Sequence, residues 1–192
     1  MSSQISVLQS ILESPRTVFT VQSLMMQTGC NDSGRLTKSL HYYANEGRIL
    51  NLRRGVYTKL KYDVREMACS LFRPSYISLE YVLQRAGVIF QWDENVTCVS
   101  YLSRSVAVDG KQYQYRKISP ELWIGMEGIE QQDNVAIATP ERAFLDMVYL
   151  SAGNCYFDNL RPLSIKQVRT VLPLYRSQKL NERVATLLNV KL

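Results

Sequence analysis

The sequence is poor in the residues that most often carry catalysis or hold metal. It has a single histidine, His41, and four cysteines, Cys30, Cys69, Cys98 and Cys155. The cysteines form no CxxC or CxH pattern, and zinc sites need ligands at short fixed spacing so that one turn or helix face presents two together. They read as free, mostly buried thiols in a reducing compartment. A Ser-His-Asp or Cys-His unit would have to use His41, which falls in the most basic helical segment of the chain. The nine glycines are scattered, whereas a phosphate-binding loop clusters them so that backbone amides can approach the anion. No glutamate is followed two residues later by lysine, so the Glu-x-Lys pattern of a restriction-type nuclease core is missing.

Long apolar runs are missing too. The longest stretch without charge, Thr17 to Asn31, is fifteen residues and carries Thr, Gln and Ser. A membrane span needs roughly 20 mostly apolar positions. The first residues, Met1 to Ser6, hold neither a basic n-region nor an apolar h-region. The expectation is a cytoplasmic, non-enzymatic protein with no membrane segment, cofactor or metal. What remains is ordinary globular composition: 192 residues, 46% hydrophobic and 21% charged. That suffices for one good-sized domain or two small ones.

The net charge of +6 is unevenly placed. From Met1 to Tyr62 there are eight Lys/Arg against three Asp/Glu, while the rest of the chain holds fifteen against fourteen. Such asymmetry is the electrostatic footprint of a nucleic-acid-binding module joined to a nearly neutral partner domain.

Periodicity gives that first third a form. Ile5, Leu8, Ile11 and Leu12 fit a short helix ending before Pro15. Thr20 is an N-cap for a second helix carrying Val21, Leu24 and Met25, closed by Gly29. Asn31, Asp32 and Ser33 supply the next cap, and a third helix runs to about Glu46 with Leu36, Leu40 and Tyr43 facing the core. Gly47 stops it. Arg35, Lys38, His41 and Tyr42 then point outward. Two β-prone runs, Ile49–Leu52 and Val56–Lys59, flank Arg53-Arg54-Gly55 and read as a hairpin with two arginines at its tip. Helix-turn-helix followed by hairpin predicts a winged helix over residues 1–62. The candidate DNA-binding residues are Ser33, Arg35, Lys38, His41, Tyr42, Arg53, Arg54 and Lys59. The helix face suits a major groove, and the arginine tip suits phosphates or a narrow minor groove.

Residues 63–192 read as a mixed α+β domain. Asp63 to Phe72 is helical, and Ser78 caps a helix from Leu79 to Ala86 with Gly87 behind it. Strand-like runs follow at Val96–Leu102, Val106–Val108 and Gln112–Ile118, the last two joined by Asp109-Gly110, a strong hairpin signal. Val135–Ala138 is a further strand, and Thr139-Pro140-Glu141 opens a helix that ends towards Gly153. Ile165–Leu172 and the Leu180, Val184, Leu187, Leu188 stripe give a helical end. Glu80, Glu141 and Asp146 lie on helices, where caps and solvated faces account for them. Trp92 and Trp123 read as core or interface residues, because their surroundings carry almost no excess basic charge. The domain is chemically quiet.

Three blocks in order resemble the AbiEi-type antitoxin family of type IV toxin–antitoxin systems. They are Gly47-Arg48-Ile49 with Arg54-Gly55-Val56-Tyr57, then Pro74-Ser75-Tyr76-Ile77-Ser78-Leu79-Glu80, then Ile137 to Asp146. The resemblance covers roughly Ile5 to Leu150 and finds no correspondence after about Tyr156. It implies a winged helix that binds inverted repeats in its own promoter and represses it, with Arg35, Lys38, Arg53 and Arg54 on the DNA. It also implies a second domain that counteracts a nucleotidyltransferase toxin without forming a tight complex. Double-stranded DNA is the expected partner, bound by a dimer or by cooperative adjacent copies. The rivals are a stand-alone regulator, a winged-helix protein-interaction module, and an enzyme whose acidic residues converge only in space.

Overall fold

The computed structural model of the protein describes residues 6–123, 125–152 and 154–191, with the side chain of Trp123 outside the description. Ile5 and Gly153, which belong to the expected helices, also lie outside the described residues. Among those residues the fold is mixed α+β, and no helix is long and apolar enough to cross a membrane. The chain divides into two compact units, Met1–Leu71 and Phe72–Leu192.

The first unit runs α1 (Val7–Glu13), β1 (Val18–Thr20), α2 (Val21–Thr28), α3 (Ser33–Asn45), β2 (Leu50–Arg53), β3 (Val56–Thr58) and α4 (Val64–Leu71). Its three strands form an antiparallel sheet in the order β1-β3-β2. Each of the first three helices starts where its sequence supplies an acceptor. Ser6 caps α1, Asp32 caps α3, and Thr20 and Ser23 satisfy each other's backbone N–H groups in a capping box at α2. Gly29 closes α2 at φ 67°, a conformation that costs glycine nothing. Ile11, Phe19, Leu24, Leu36, Leu40, Ile49 and Tyr57 make the core. Burying each such side chain is worth about 1.5–3 kcal/mol. Leu12, read from the sequence as part of the apolar stripe of α1, is instead half exposed.

Helix α4 belongs to this unit rather than to the second, where the expected boundary after Tyr62 leaves it. The reason is Glu66. Its buried Oε2 accepts the Thr17 N–H at 2.6 Å, the Thr17 hydroxyl at 2.8 Å and the Val18 N–H at 2.9 Å. Three donors on one oxygen offset the cost of taking a carboxylate out of water, and they staple α4 to the start of β1.

The second unit holds β4 (Ser75–Ile77), α5 (Glu80–Arg85), β5 (Val96–Ser100), β6 (Arg104–Val108), β7 (Lys111–Lys117), β8 (Ile129–Gln132), β9 (Val135–Ala138), α6 (Pro140–Leu150), α7 (Ile165–Val171) and α8 (Gln178–Leu188). The sheet order is β6-β7-β5-β4-β9-β8, with β4 antiparallel to β5 but parallel to β9, and β5 parallel to β7. Its two edges are hairpins. Asp109-Gly110 and Asp133-Asn134 turn them, all four residues at positive φ as a type I′ turn requires. Helix α6 is the centre of the unit, packed against α5, α7, α8 and β9.

Two strands of this sheet escape the sequence patterns. β4 is three residues long, and β8 is the polar run Ile-Glu-Gln-Gln, which shows no apolar alternation because it lies on an edge. Ser78 does not cap α5. Leu79 takes that place at φ 60° with no side-chain cap, and the Ser78 hydroxyl is spent elsewhere.

Candidate nucleic-acid interface

Leu36 and Leu40 are fully turned into the first unit's core, which fixes the opposite face of α3. Arg35, Lys38, His41 and Tyr42 are all exposed on it, whereas Ser33, three residues before Leu36 and seven before Leu40, is exposed at the start of the helix on the leucines' side. From Arg35 to Tyr42 the helix advances about 10 Å, at ~1.5 Å per residue. The hydroxyls of Thr37 and Ser39 bond back to the carbonyls of Ser33 and Arg35, at 2.7 and 3.2 Å, and so are satisfied within the helix. The Asp32 carboxylate accepts the Arg35 N–H at 2.9 Å, placing a negative charge at the N-terminus of α3. The cations therefore lie in the first two turns beyond that cap. Ser33 is the first residue of the helix, and its own hydroxyl is not the cap.

The two rings of this face are held. His41 meets the buried Tyr57 edge-on, with centroids 6.0 Å apart, and Tyr42 meets Tyr43 at 5.5 Å. Tyr42 is 60% exposed. Helix α3 ends where Gly47, at φ 67°, lets the Gly47 and Arg48 N–H groups reach the carbonyls of Ala44 and Tyr43.

The hairpin follows. Along β2 the residues alternate, with Asn51 and Arg53 exposed and Leu50 and Leu52 half-buried. Arg54-Gly55 makes the turn, Gly55 at φ 77°. The Gly55 carbonyl accepts the Val21 N–H at 3.2 Å, anchoring the turn to the start of α2. Arg54 is exposed beside it. Arg48, between α3 and β2, is exposed as well. It is absent from the candidates drawn from the sequence, although its position just after the helix-stopping Gly47 is a usable signal.

Lys59 stands apart from the other candidates. Its ammonium donates to the Leu12 carbonyl at 3.0 Å and to the Ser14 carbonyl at 2.7 Å. These carbonyls belong to the end of α1, where the last turn has no intrahelical donors. This cation caps a helix, and it leaves the set that faces a ligand.

The second unit is less quiet than its sequence suggests. Asp146 and Arg142 are fully buried, one turn apart on α6, with Arg142 Nε 3.3 Å from Asp146 Oδ1. Asp146 also accepts the hydroxyls of Tyr175 at 2.5 Å, Ser78 at 2.8 Å and Tyr76 at 3.0 Å. Burial pushes the Asp146 carboxyl above the usual carboxylate range, while Arg142 and the three hydroxyls pull it back. Burial also raises both tyrosines well above their ordinary values, so they stay protonated and donate. Arg142 spends its remaining donors on Tyr76 Oη and on the carbonyls of Leu122, Gly125 and Glu127. Glu141 is buried too, accepting the Ser164 N–H at 2.9 Å. The expectation of capping and solvated-face roles is therefore corrected for Asp146 and Glu141, which brace the centre of the fold. Glu80 is half exposed, 3.8 Å from Arg116. Trp92, expected in a core or interface, is 66% exposed.

Among the described residues no group of three His, Cys, Asp or Glu side chains is arranged to hold a metal ion. Comparison with models of known protein families and with curated proteins finds no match for the chain.

Proposed function

We propose that the protein is a DNA-binding transcriptional regulator that represses its own promoter, and that its first unit is a winged helix. The carrying observation is the exposed face of α3, where Arg35 and Lys38 stand beside His41 and Tyr42 in the same unit as a hairpin carrying Arg53 and Arg54. The element order helix, strand, helix, helix, hairpin suits a winged helix with α3 as its recognition helix. On this proposal α3 enters the major groove, where Arg35 and Lys38 reach base edges and phosphates. Its 10 Å of basic face matches about three base-pair steps at ~3.4 Å each. Asp32 keeps phosphate from the helix N-terminus, so contact falls on the middle of the helix. Arg53 and Arg54 sit on the adjacent backbone or minor groove.

The three sequence blocks that resemble AbiEi-type antitoxins extend the proposal: the operator is an inverted repeat, occupied by a dimer or by cooperative neighbours. The second unit then counteracts a nucleotidyltransferase toxin encoded alongside. Fluorescence anisotropy with the DNA upstream of the gene, against a shuffled control at two salt concentrations, tests the DNA-binding part. Tight binding to the native DNA that survives higher salt is expected. Equal weak binding to both, lost with salt, would leave only a charged surface and favour a protein-interaction module. Co-expression with the neighbouring nucleotidyltransferase gene tests the antitoxin part. Growth should be restored, and continued arrest would reduce the protein to a stand-alone regulator.

A further inference from the structure

The second unit contains a cleft of about 730 Å³ at the C-terminal end of α6, within the usual size of a small-molecule site. Glu80, from the first turn of α5, and Arg116, from β7, line one side. Met147 and Leu150 of α6 and Ile89 give it apolar walls, and Asp158 lies at its rim. The rim is fixed by backbone pairing: the N–H groups of Asp158 and Asn159 donate to the Val88 carbonyl, and the Phe90 N–H donates to Asp158 Oδ2 at 2.8 Å. This holds two loops together and leaves Phe90, Trp92 and Tyr156 exposed by 67, 66 and 79%. Three large exposed rings on two tied loops are unusual on a surface with no partner.

The charges in the cleft do not balance. Two carboxylates face one guanidinium, and the last carbonyls of α6 add the negative end of its dipole. Glu80 is also short of donors. One of its oxygens is buried with no hydrogen-bond partner, and the other is 3.8 Å from Arg116, beyond hydrogen-bond reach. The same Arg116 nitrogen also lies 4.0 Å from the Met147 sulfur, so it is shared between the two. The buried oxygen is closed to the cleft, so the one a ligand can reach is the oxygen that Arg116 pairs only loosely, and a ligand bringing a donor and positive charge would complete it.

We infer that this cleft binds a small organic cation, a primary ammonium on an apolar stem, with the ammonium on Glu80 and the stem along Ile89, Met147 and Leu150. Of the three rings Tyr156 lines the cleft, and its exposed face favours the same guest, because ring faces attract cations. The inference does not depend on DNA binding by the first unit.

Hexylamine is a suitable probe, with hexanol and hexanoate as uncharged and anionic controls of the same length, titrated calorimetrically into the full chain. Hexylamine should bind at least tenfold more tightly than either control. Glu80→Gln should erase that preference without changing the melting curve. Arg116→Met should strengthen amine binding severalfold, because it removes the competing cation. Cys155 lines the same cleft, so hexylamine should slow its alkylation while leaving that of Cys30 in the first unit unchanged. Equal affinity for amine and alcohol would overturn the proposal. So would preference for hexanoate, or loss of binding in Arg116→Met, each of which would make this an anion site.

Discussion

The two units place their polar chemistry in opposite locations. The first keeps its cations on the surface, over a small apolar core whose chief buried charge is the Glu66 carboxylate. The second surrounds a fully buried Arg142–Asp146 pair with Tyr76, Tyr175 and Ser78. A surface charge contributes little to folding and is available to a partner. A buried pair is unavailable to a partner, and everything around it depends on its being complete. On the proposed reading, the first unit's charges serve binding and the second's serve architecture.

The largest effect should come from breaking the buried pair. Asp146→Asn leaves Arg142 without a counter-charge and should cost about 3–5 kcal/mol of stability, read as a large fall in thermal or urea midpoint. Replacing both residues, as Arg142→Met with Asp146→Leu, should cost less than the single change, because no charge is left stranded. A double variant worse than the single would mean that the pair itself stabilises the unit. Glu66→Ala should follow, at roughly 2–4 kcal/mol, since it strands the N–H groups of Thr17 and Val18. If the melting temperature is unmoved, α4 is not stapled as described.

Surface changes should leave folding alone and alter binding. Arg35→Ala and Lys38→Ala should each weaken operator binding by about 1–3 kcal/mol where the side chain reads a base. Arg53→Ala with Arg54→Ala should reduce the slope of log affinity against log salt by about 2, since two fewer phosphates are neutralised and two fewer counterions released. An unchanged slope would take the hairpin off the DNA. The smallest effect is the most discriminating: Lys59→Ala should lower stability by about 1 kcal/mol, because α1 loses its cap, and leave the salt slope as it was. A changed slope with unchanged stability would return Lys59 to the interface.

The same contrast explains what can be read from the sequence. In the first unit the signals are local. Leu36 and Leu40 at helical spacing, Thr20 and Asp32 as caps, and Gly29 and Gly55 at turns lie within a few residues of what they determine. The exposed face of α3 follows from them. Lys59 reads as a wing cation because its true partners, Leu12 and Ser14, are more than forty residues away. In the second unit the decisive contacts are longer still. Tyr76 and Ser78 reach Asp146 across 70 and 68 residues, and nothing at helical or strand spacing announces them. An aspartate mid-helix looks solvated until three hydroxyls converge on it. The turn chemistry of Asp109-Gly110 is legible because β-prone runs flank it, whereas Asp133-Asn134 is masked by the polar strand before it.

Whether the outward face of α3 reads DNA is decided by anisotropy titration of the upstream DNA with the native chain and with the Arg35→Ala, Lys38→Ala double variant, each checked for an unchanged melting curve. A loss of about 30-fold or more is expected, from at least about 1 kcal/mol at each position. Equal affinities from two equally folded proteins would refute that role for α3.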